Sequence, residues 1–132
     1  MEVKIDTKEK FTVVTPVEAR LSANIAAELE ACCGEYLLKP VKNLVLNLEH
    51  VQDLDPAVAT VLAQQQQLFY ENSASFVICN LQPAAETILE QLELLDLMNI
   101  TPTESEAWDI VQMEEIEREL LDGDDIRFDK ND

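Results

Sequence analysis

The chain has 132 residues, 47% of them hydrophobic, and its 27 acidic and 9 basic side chains give a net charge of −18. This length and apolar content predict one folded domain with a single core. The negative charge argues against nucleic acid and anionic membrane surfaces as partners, because both repel an acidic protein. A basic protein partner fits the charge better.

Cellular location and cysteine chemistry follow from what the sequence does not contain. No stretch approaches the roughly 20 apolar residues that span a bilayer, and the N-terminus lacks the apolar core of a signal peptide, so we expect a cytoplasmic protein. The three cysteines, Cys32, Cys33 and Cys79, form no C-x-x-C pair, and Cys32 and Cys79 have apolar neighbours. Buried free thiols are therefore expected, with no redox or metal role.

The first third of the chain predicts a hairpin and a helix. Residues 2–15 alternate between polar and apolar side chains around a polar break at 7–10, which is typical of a β-hairpin, and Pro16 ends the second strand. Ser22 is then predicted to cap a helix that ends near Gly34. The apolar face of this helix consists of Ile25, Ala26, Leu29, Cys32 and Cys33.

The middle of the chain predicts a buried strand, an acidic turn and a second helix. The apolar run at 44–48 is typical of a strand covered on both faces. Asp55 is a favoured helix cap and Pro56 suits the first helical position, so the helix begins at Pro56 and ends around 71–73. Its predicted packed face is Val58, Val61, Leu62, Leu68 and Phe69. Gln65 interrupts this face, so it either finds a partner for its amide inside or marks an unburied place.

The last third predicts a strand, two helices and an acidic tail. Residues 76–79 form the next buried strand, and a third helix follows Pro83 and ends by Asp96 or Met98, before a short strand at 99–101. The packed face of the third helix is predicted to be Ala85, Ile88, Leu89, Leu92 and Leu95. Thr103 to Glu106 has the form of a capping box for a fourth helix that Gly123 stops. Its predicted face is Ala107, Ile110, Val111, Met113, Ile116 and Leu120, with Trp108 off that line.

This order of elements predicts an α/β fold. Strands that alternate with helices favour parallel neighbours joined by right-handed crossovers, here with an antiparallel hairpin at the start. The acidic residues after Gly123 predict a mobile tail.

The residues carry few signals for catalysis or for ligand binding. His50 ends the central strand without a Ser or Cys nucleophile in a recognisable motif, so we interpret it as a surface histidine. Glu49, His50, Asp53 and Asp55 lack the ligand spacing of a calcium loop, so no metal site and no cofactor are predicted. The start of the second helix can attract an anion, but no glycine-rich loop or lysine accompanies it.

Three stretches, in this order and spacing, resemble the STAS domain, the fold of bacterial anti-sigma factor antagonists. Residues 19–29, ARLSANIAAEL, resemble the family's G-R-L-D-A-x-N-A-x-E-L entry to its first helix. Residues 43–62 resemble its x-L-V-L-D-L-x-x-V-x-F-x-D-S-S-G-L-x-x-L segment, and residues 92–107 its L-x-x-x-G-L-x-x-x-f-x-i-x-x-x-x-x-E-A close. Leu94 stands where the family tends to have glycine.

The resemblance implies a mixed sheet of four to five strands with parallel central strands, an N-terminal β-hairpin and about four helices. It implies a STAS-like domain over 1–115, followed at 116–132 by a helical extension and an acidic, mobile tail. In the family, the serine of the D-S-S-G turn is phosphorylated by a partner anti-sigma kinase. Here Ala57 occupies that position and has no hydroxyl, which excludes phosphorylation there. Thr60, Ser73 and Ser75 are the alternative acceptors.

The resemblance therefore favours a non-catalytic interaction module of bacterial signalling and transcription regulation. Its partner is expected to be an anti-sigma factor-like ATPase domain or another STAS protein. The predicted partner-binding surface is formed by Asp53, Asp55, Pro56, Ala57, Thr60 and Gln64.

Three other interpretations remain open at this point. One is a small STAS subunit that binds the ATPase of a transporter. Another is a ligand-binding or nucleotide-binding protein, or an enzyme, that uses His50, Asp53 and Asp55. The third is a homodimer formed through Gln65, Trp108 and the extended fourth helix.

Overall fold

A five-stranded mixed sheet is the centre of the structure. The computed structural model describes the backbone of residues 1–131 and the side chains of residues 1–121. The strands of the sheet are β1 (Val3–Thr7), β2 (Thr12–Pro16), β4 (Leu44–Asn47), β6 (Phe76–Cys79) and β7 (Asn99–Thr101), in the order β1-β2-β4-β6-β7. β1 and β2 are antiparallel and all other pairs are parallel. The predicted α/β class and the N-terminal hairpin are confirmed.

A second, two-stranded sheet was not predicted. β3 (Arg20–Leu21) pairs in parallel with β5 (Asp53–Leu54), with Arg20 opposite Asp53 and Leu21 opposite Leu54. Two residues are too few to give a recognisable alternation of polar and apolar side chains, so the sequence pattern does not reveal such strands.

Helices cover both faces of the main sheet. They are α1 (Ala26–Gly34), α2 (Pro56–Glu71), α3 (Pro83–Gln91) and α4 (Glu104–Asn131), with 3-10 turns at Ala23–Ile25, Glu35–Leu38 and Leu95–Leu97. On one face, Val14, Leu46 and Ile78 lie side by side in register and pack with α1, α2 and α3. On the other face, Val45 and Val77 pack with α4. Burial on both faces explains the apolar run of β4.

The end of α3 differs from its prediction. The helix ends at Gln91, and Glu93 takes a positive φ of 58° while the Leu94 N–H donates to the Leu89 carbonyl at 2.9 Å. This reversal closes the helix before Leu95, which lies in a separate 3-10 turn. Leu94 itself has an ordinary φ of −100°, so the left-handed position falls on Glu93 and not on the residue where the family tends to have glycine.

The predicted packed faces of α2 and α3 are confirmed except at one leucine in each. In α2, Val58, Val61, Leu62 and Phe69 are buried, but Leu68 is exposed. In α3, Leu92 is exposed.

In α4, Ala107 and Val111 are buried and the hydroxyl of Thr103 accepts the Glu106 N–H at 3.2 Å, as the capping box predicts. The helix continues past Gly123, so the predicted stop at Gly123 is wrong. The predicted mobility of the acidic tail falls outside the residues that the structure describes.

Candidate functional site

Arg20 connects the two short strands to the start of α2. Its Nη1 donates to Asp53 Oδ2 at 2.6 Å, and its Nη2 donates to Asp55 Oδ1. One guanidinium therefore holds two carboxylates that stand on either side of Leu54, and the three side chains together carry one net negative charge. Sequence analysis did not identify Arg20 as a site residue. The available signal was that Arg20 is the one basic residue between Lys10 and Lys39.

Asp55 caps a different helical segment from the one that we predicted. α2 begins at Pro56 as expected, but the Asp55 side chain makes no capping bond to α2. Its Oδ2 instead accepts the Ala23 N–H at 2.7 Å, at the start of the helical segment that leads into α1. Ser22, the predicted cap of that segment, makes no side-chain capping bond. Arg20 explains why Asp55 caps this segment and not α2, because it holds the Asp55 carboxylate on the side of β3 and Ala23.

The N-terminal half of α2 and the residues just before it present a surface of polar and small side chains. Pro56, Ala57, Thr60 and Gln64 are exposed, while Asp53 and Asp55 are half-buried. The Thr60 hydroxyl donates to the Pro56 carbonyl at 3.1 Å. The structure thus places four of the six predicted surface residues on the exposed side of α2, from its start at Pro56 to its middle at Gln64. The other two, Asp53 and Asp55, lie just before the helix and pair with Arg20.

Gln65 lies inside the domain. It is 3% exposed, and among the residues that the structure describes its Oε1 is buried without a hydrogen-bond partner. A dimer interface cannot include this side chain in the folded domain, so that part of the self-association hypothesis is wrong. Of the alternative phosphorylation sites, Ser75 is also buried, whereas Thr60 and Ser73 are exposed.

The ends of β4 and β6 are tied together by amide side chains. Asn47 Oδ1 accepts the Glu49 N–H at 3.0 Å and an Asn80 Nδ2 hydrogen at 3.2 Å. His50 is exposed beyond this point, and its Nε2 lies 3.5 Å from Glu49 Oε1. Within the described part of the chain, no three His, Cys, Asp or Glu side chains are grouped as a metal site requires.

The cysteines are free thiols in the structure. Cys33 and Cys79 are buried and Cys32 is half-buried. Burial raises the pKa of Cys33, and it raises the pKa of the Cys79 thiol to about 12. Such thiols stay protonated at neutral pH and are poor nucleophiles.

Comparison with known proteins gives the class of this protein. The family model for the STAS domain matches residues 2–107, and the chain therefore belongs to the STAS domain family. Members of this family that act as anti-sigma factor antagonists are generally non-catalytic regulators.

Several of the solved structures with the same fold are anti-sigma factor antagonists by name. A candidate antagonist from Thermotoga maritima is 19% identical with a TM-score of 0.74, over 83% of this chain and 94% of that one. An antagonist from Mycobacterium paratuberculosis is also 19% identical, with a TM-score of 0.73 over 84% and 93%. SpoIIAA in its unphosphorylated form is 15% identical, with a TM-score of 0.68 over 84% and 96%. SpoIIAA has also been solved in a phosphorylated form, at 14% identity and a TM-score of 0.62 over 83% and 99%. At these identities the likeness establishes the fold.

None of the helices over the described residues is both long and apolar enough to cross a bilayer.

Proposed function

We propose that this protein is a non-catalytic interaction module of bacterial signalling, similar to an anti-sigma factor antagonist, that binds its partner through the start of α2. The proposed surface is Asp53, Asp55, Pro56, Ala57, Thr60 and Gln64. The proposed partner is an anti-sigma factor-like ATPase domain or another STAS protein. The proposed domain is 1–115, and residues 116–132 are an addition to it.

The observation that carries this proposal is the exposed face of α2 beside two carboxylates that are both paired with Arg20. The exposed face of α2 consists of Pro56, Ala57, Thr60 and Gln64. None of these residues belongs to the opposite face of the helix, which packs against the sheet. Asp55 is held at two points, by Arg20 and by the Ala23 N–H. A surface that is already ordered loses little conformational entropy on binding. The charge of −18 favours a basic partner and speeds its approach, so the association rate should fall as salt rises.

Ala57 supports the proposal that this module is not regulated by phosphorylation at the position that the family uses. We propose that it stands at the family phosphoacceptor site, where its methyl group is exposed and accepts no phosphate. A phosphate would add about −1.5 to −2 charges to the surface. Thr60 is the proposed alternative acceptor. Its hydroxyl would have to give up the bond to the Pro56 carbonyl to be phosphorylated.

The start of α3 provides matched controls for α2. Both helices begin with Pro followed by Ala, at Pro56-Ala57 and Pro83-Ala84, and Ala57 and Ala84 are both exposed. A glutamate at either alanine should leave stability nearly unchanged, since acidic side chains are favourable in a first helical turn.

Thr60 and Thr87 form a second matched pair. Thr87 donates to the Pro83 carbonyl at 3.0 Å, as Thr60 does to Pro56 at 3.1 Å. An arginine at either position changes charge and size in the same helical context but on different surfaces.

The test is capture of partners from native lysate by the wild-type chain and by these four variants, with identification by mass spectrometry and titration of the purified hits. We expect an ATPase of the anti-sigma type or a STAS protein to bind the wild type, A84E and T87R, and to lose affinity for A57E and T60R. If all four variants bind alike, the α2 surface is not the site.

A kinase assay tests the equivalence of Ala57 with the phosphoacceptor. Incubation with ATP and the captured ATPase should phosphorylate an Ala57→Ser variant at residue 57 and leave the wild type unmodified there. Modification of wild-type Thr60 would show that regulation has moved along the helix. If A57S remains unmodified by an active kinase, Ala57 does not replace the acceptor.

A further inference from the structure

Helix α4 has two apolar faces that point in opposite directions. Ala107 and Val111 are buried against the sheet, together with Val45 and Val77. Met113 comes two residues after Val111, and at about 100° per residue it lies about 200° round the helix from it. Ile116 and Leu120 follow Met113 at spacings of three and seven residues and so share its side of the helix. The prediction of one continuous packed face was wrong for this reason.

This second face is uncovered. Met113, Ile116 and Leu120 are 54%, 56% and 58% exposed, whereas Ala107 and Val111 on the opposite side are fully buried. We refer to these three side chains as the outer stripe. They span two turns at the spacing of a helix–helix seam, which is the geometry that receives one amphipathic helix.

We propose that the outer stripe binds an amphipathic helix with basic flanks, supplied by another protein. The acidic surroundings of the stripe select this partner. The exposed charged side chains of residues 104–121 are all acidic, at Glu106, Asp109, Glu117 and Glu119, while the one basic side chain, Arg118, is half-buried and donates to Ser75. Asp109 and Glu117 are four residues before and after Met113, which places each within about 40° of it along the helix surface. Lysine or arginine beside the apolar seam of the partner would face these carboxylates.

A second copy of this chain fits the stripe less well. Two stripes in contact would bring Asp109 and Glu117 of one chain close to the same carboxylates of the other, and like charges at a seam are unfavourable.

The stripe is also separate from the shared family region and from the α2 surface. The match to the STAS domain ends at residue 107, before Met113. Helix α4 packs on the face of the sheet opposite to α1, α2 and α3. The two proposed surfaces can therefore be tested independently, and failure of one leaves the other standing.

The test uses synthetic peptides of roughly 20 residues as probes, with leucine at the a and d positions of each heptad. The first peptide has lysine at the flanking positions, the second has glutamate there, and the third has the composition of the first in scrambled order. Fluorescence anisotropy of the labelled peptides measures binding to the full chain at about 0.15 M salt, which screens non-specific attraction.

The variant I116S/L120S removes most of the stripe, and L38S/L97S is its matched control. Leu38 and Leu97 are also exposed, at 89% and 63%, so the control loses two exposed leucines elsewhere. All four substitutions are on the surface, and far-UV circular dichroism checks that the variants are folded.

We expect the lysine peptide to bind the wild type and L38S/L97S alike, and to bind I116S/L120S at least about tenfold more weakly, with no binding of the glutamate or scrambled peptides. Equal binding to I116S/L120S, or equal binding of the scrambled peptide, would overturn the proposal in favour of charge attraction alone. A wild-type dimer in sedimentation that I116S/L120S abolishes would overturn it in favour of a second copy.

Discussion

Replacing Asp55 by alanine should destabilise the domain more than any other single change at the α2 surface. Asp55 accepts the Ala23 N–H at 2.7 Å, and loss of such a helix-capping acceptor costs about 1 kcal/mol. The variant also loses the ion pair between Asp55 and Arg20. The Asp55 side chain is 22% exposed and the Arg20 side chain 57%, and a pair this exposed contributes about 0.5–1 kcal/mol. The sum is about 1.5–2 kcal/mol, which corresponds to a fall in Tm of roughly 5–8 °C for a domain of this size.

Two neighbouring substitutions separate these contributions. Asp53→Ala removes an ion pair with Arg20 without removing the Ala23 acceptor, so it should cost about 0.5 kcal/mol. Asp55→Asn keeps a side-chain oxygen for the Ala23 N–H and should fall between the two alanine variants.

Urea denaturation measures the free energy of unfolding of all three variants. We expect the transition midpoint to shift while the m-value stays unchanged. Equal losses for Asp55→Ala and Asp53→Ala, or a loss for Asp55→Asn as large as that for Asp55→Ala, would refute the capping role.

Three further changes test the turn, the buried amide and the thiol. Glu93→Gly should stabilise the domain by about 0.5–1 kcal/mol in urea, because glycine relieves the positive φ of 58°, whereas Leu94→Gly, at a φ of −100°, should destabilise it. Gln65→Met should raise the free energy of unfolding by about 1–2 kcal/mol, because it removes a buried oxygen that has no hydrogen-bond partner among the described residues. Gln64→Met on the exposed side should change it by less than about 0.5 kcal/mol, and a loss of stability for Gln65→Met would reveal a partner for the amide. Because burial raises the pKa of Cys79 from 9.0 to about 12, the unfolded chain releases this proton first, so Cys79 should lower the free energy of unfolding by roughly 1.4 kcal/mol per pH unit above about 9, in addition to the contribution of Cys33, whose pKa burial also raises. Cys79→Ala should reduce that slope by about 1.4 kcal/mol per pH unit and leave the part due to Cys33, and an unchanged slope in pH-dependent denaturation would contradict the assignment.

The sequence predicts the layered fold because the sequence patterns of its main strands and helices extend over many residues. Buried strands such as β4 and β6 are continuous apolar runs, and the apolar periodicity of α2 extends over several turns. The order of these elements then restricts the topology to a mixed sheet with parallel central strands. The helix start at Pro56 is predicted equally well, since both Asp and Pro have strong preferences there.

The partners of Asp55 could not be predicted in the same way. A capping preference describes a residue and its own helix, and nothing in it distinguishes the N–H groups of α2 from that of Ala23. The choice depends on Arg20, which is 35 residues away in sequence and reaches Asp55 only because β3 and β5 pair. The outer stripe of α4 was missed for a related reason. A run of apolar residues was assigned to one face, although Val111 and Met113 lie on opposite sides.

The pairing of β3 with β5 has a consequence for how the α2 surface forms. Arg20 and Asp53 are 33 residues apart in sequence, so their contact closes a long loop, and contacts of this kind are completed only when much of the chain has already folded. A peptide with the sequence of α2 would have neither this anchor nor a stable helix, since 16 residues are marginal for a helix in water. The surface is therefore a property of the assembled domain, and a linear peptide excised from α2 should be a poor competitor for its partner.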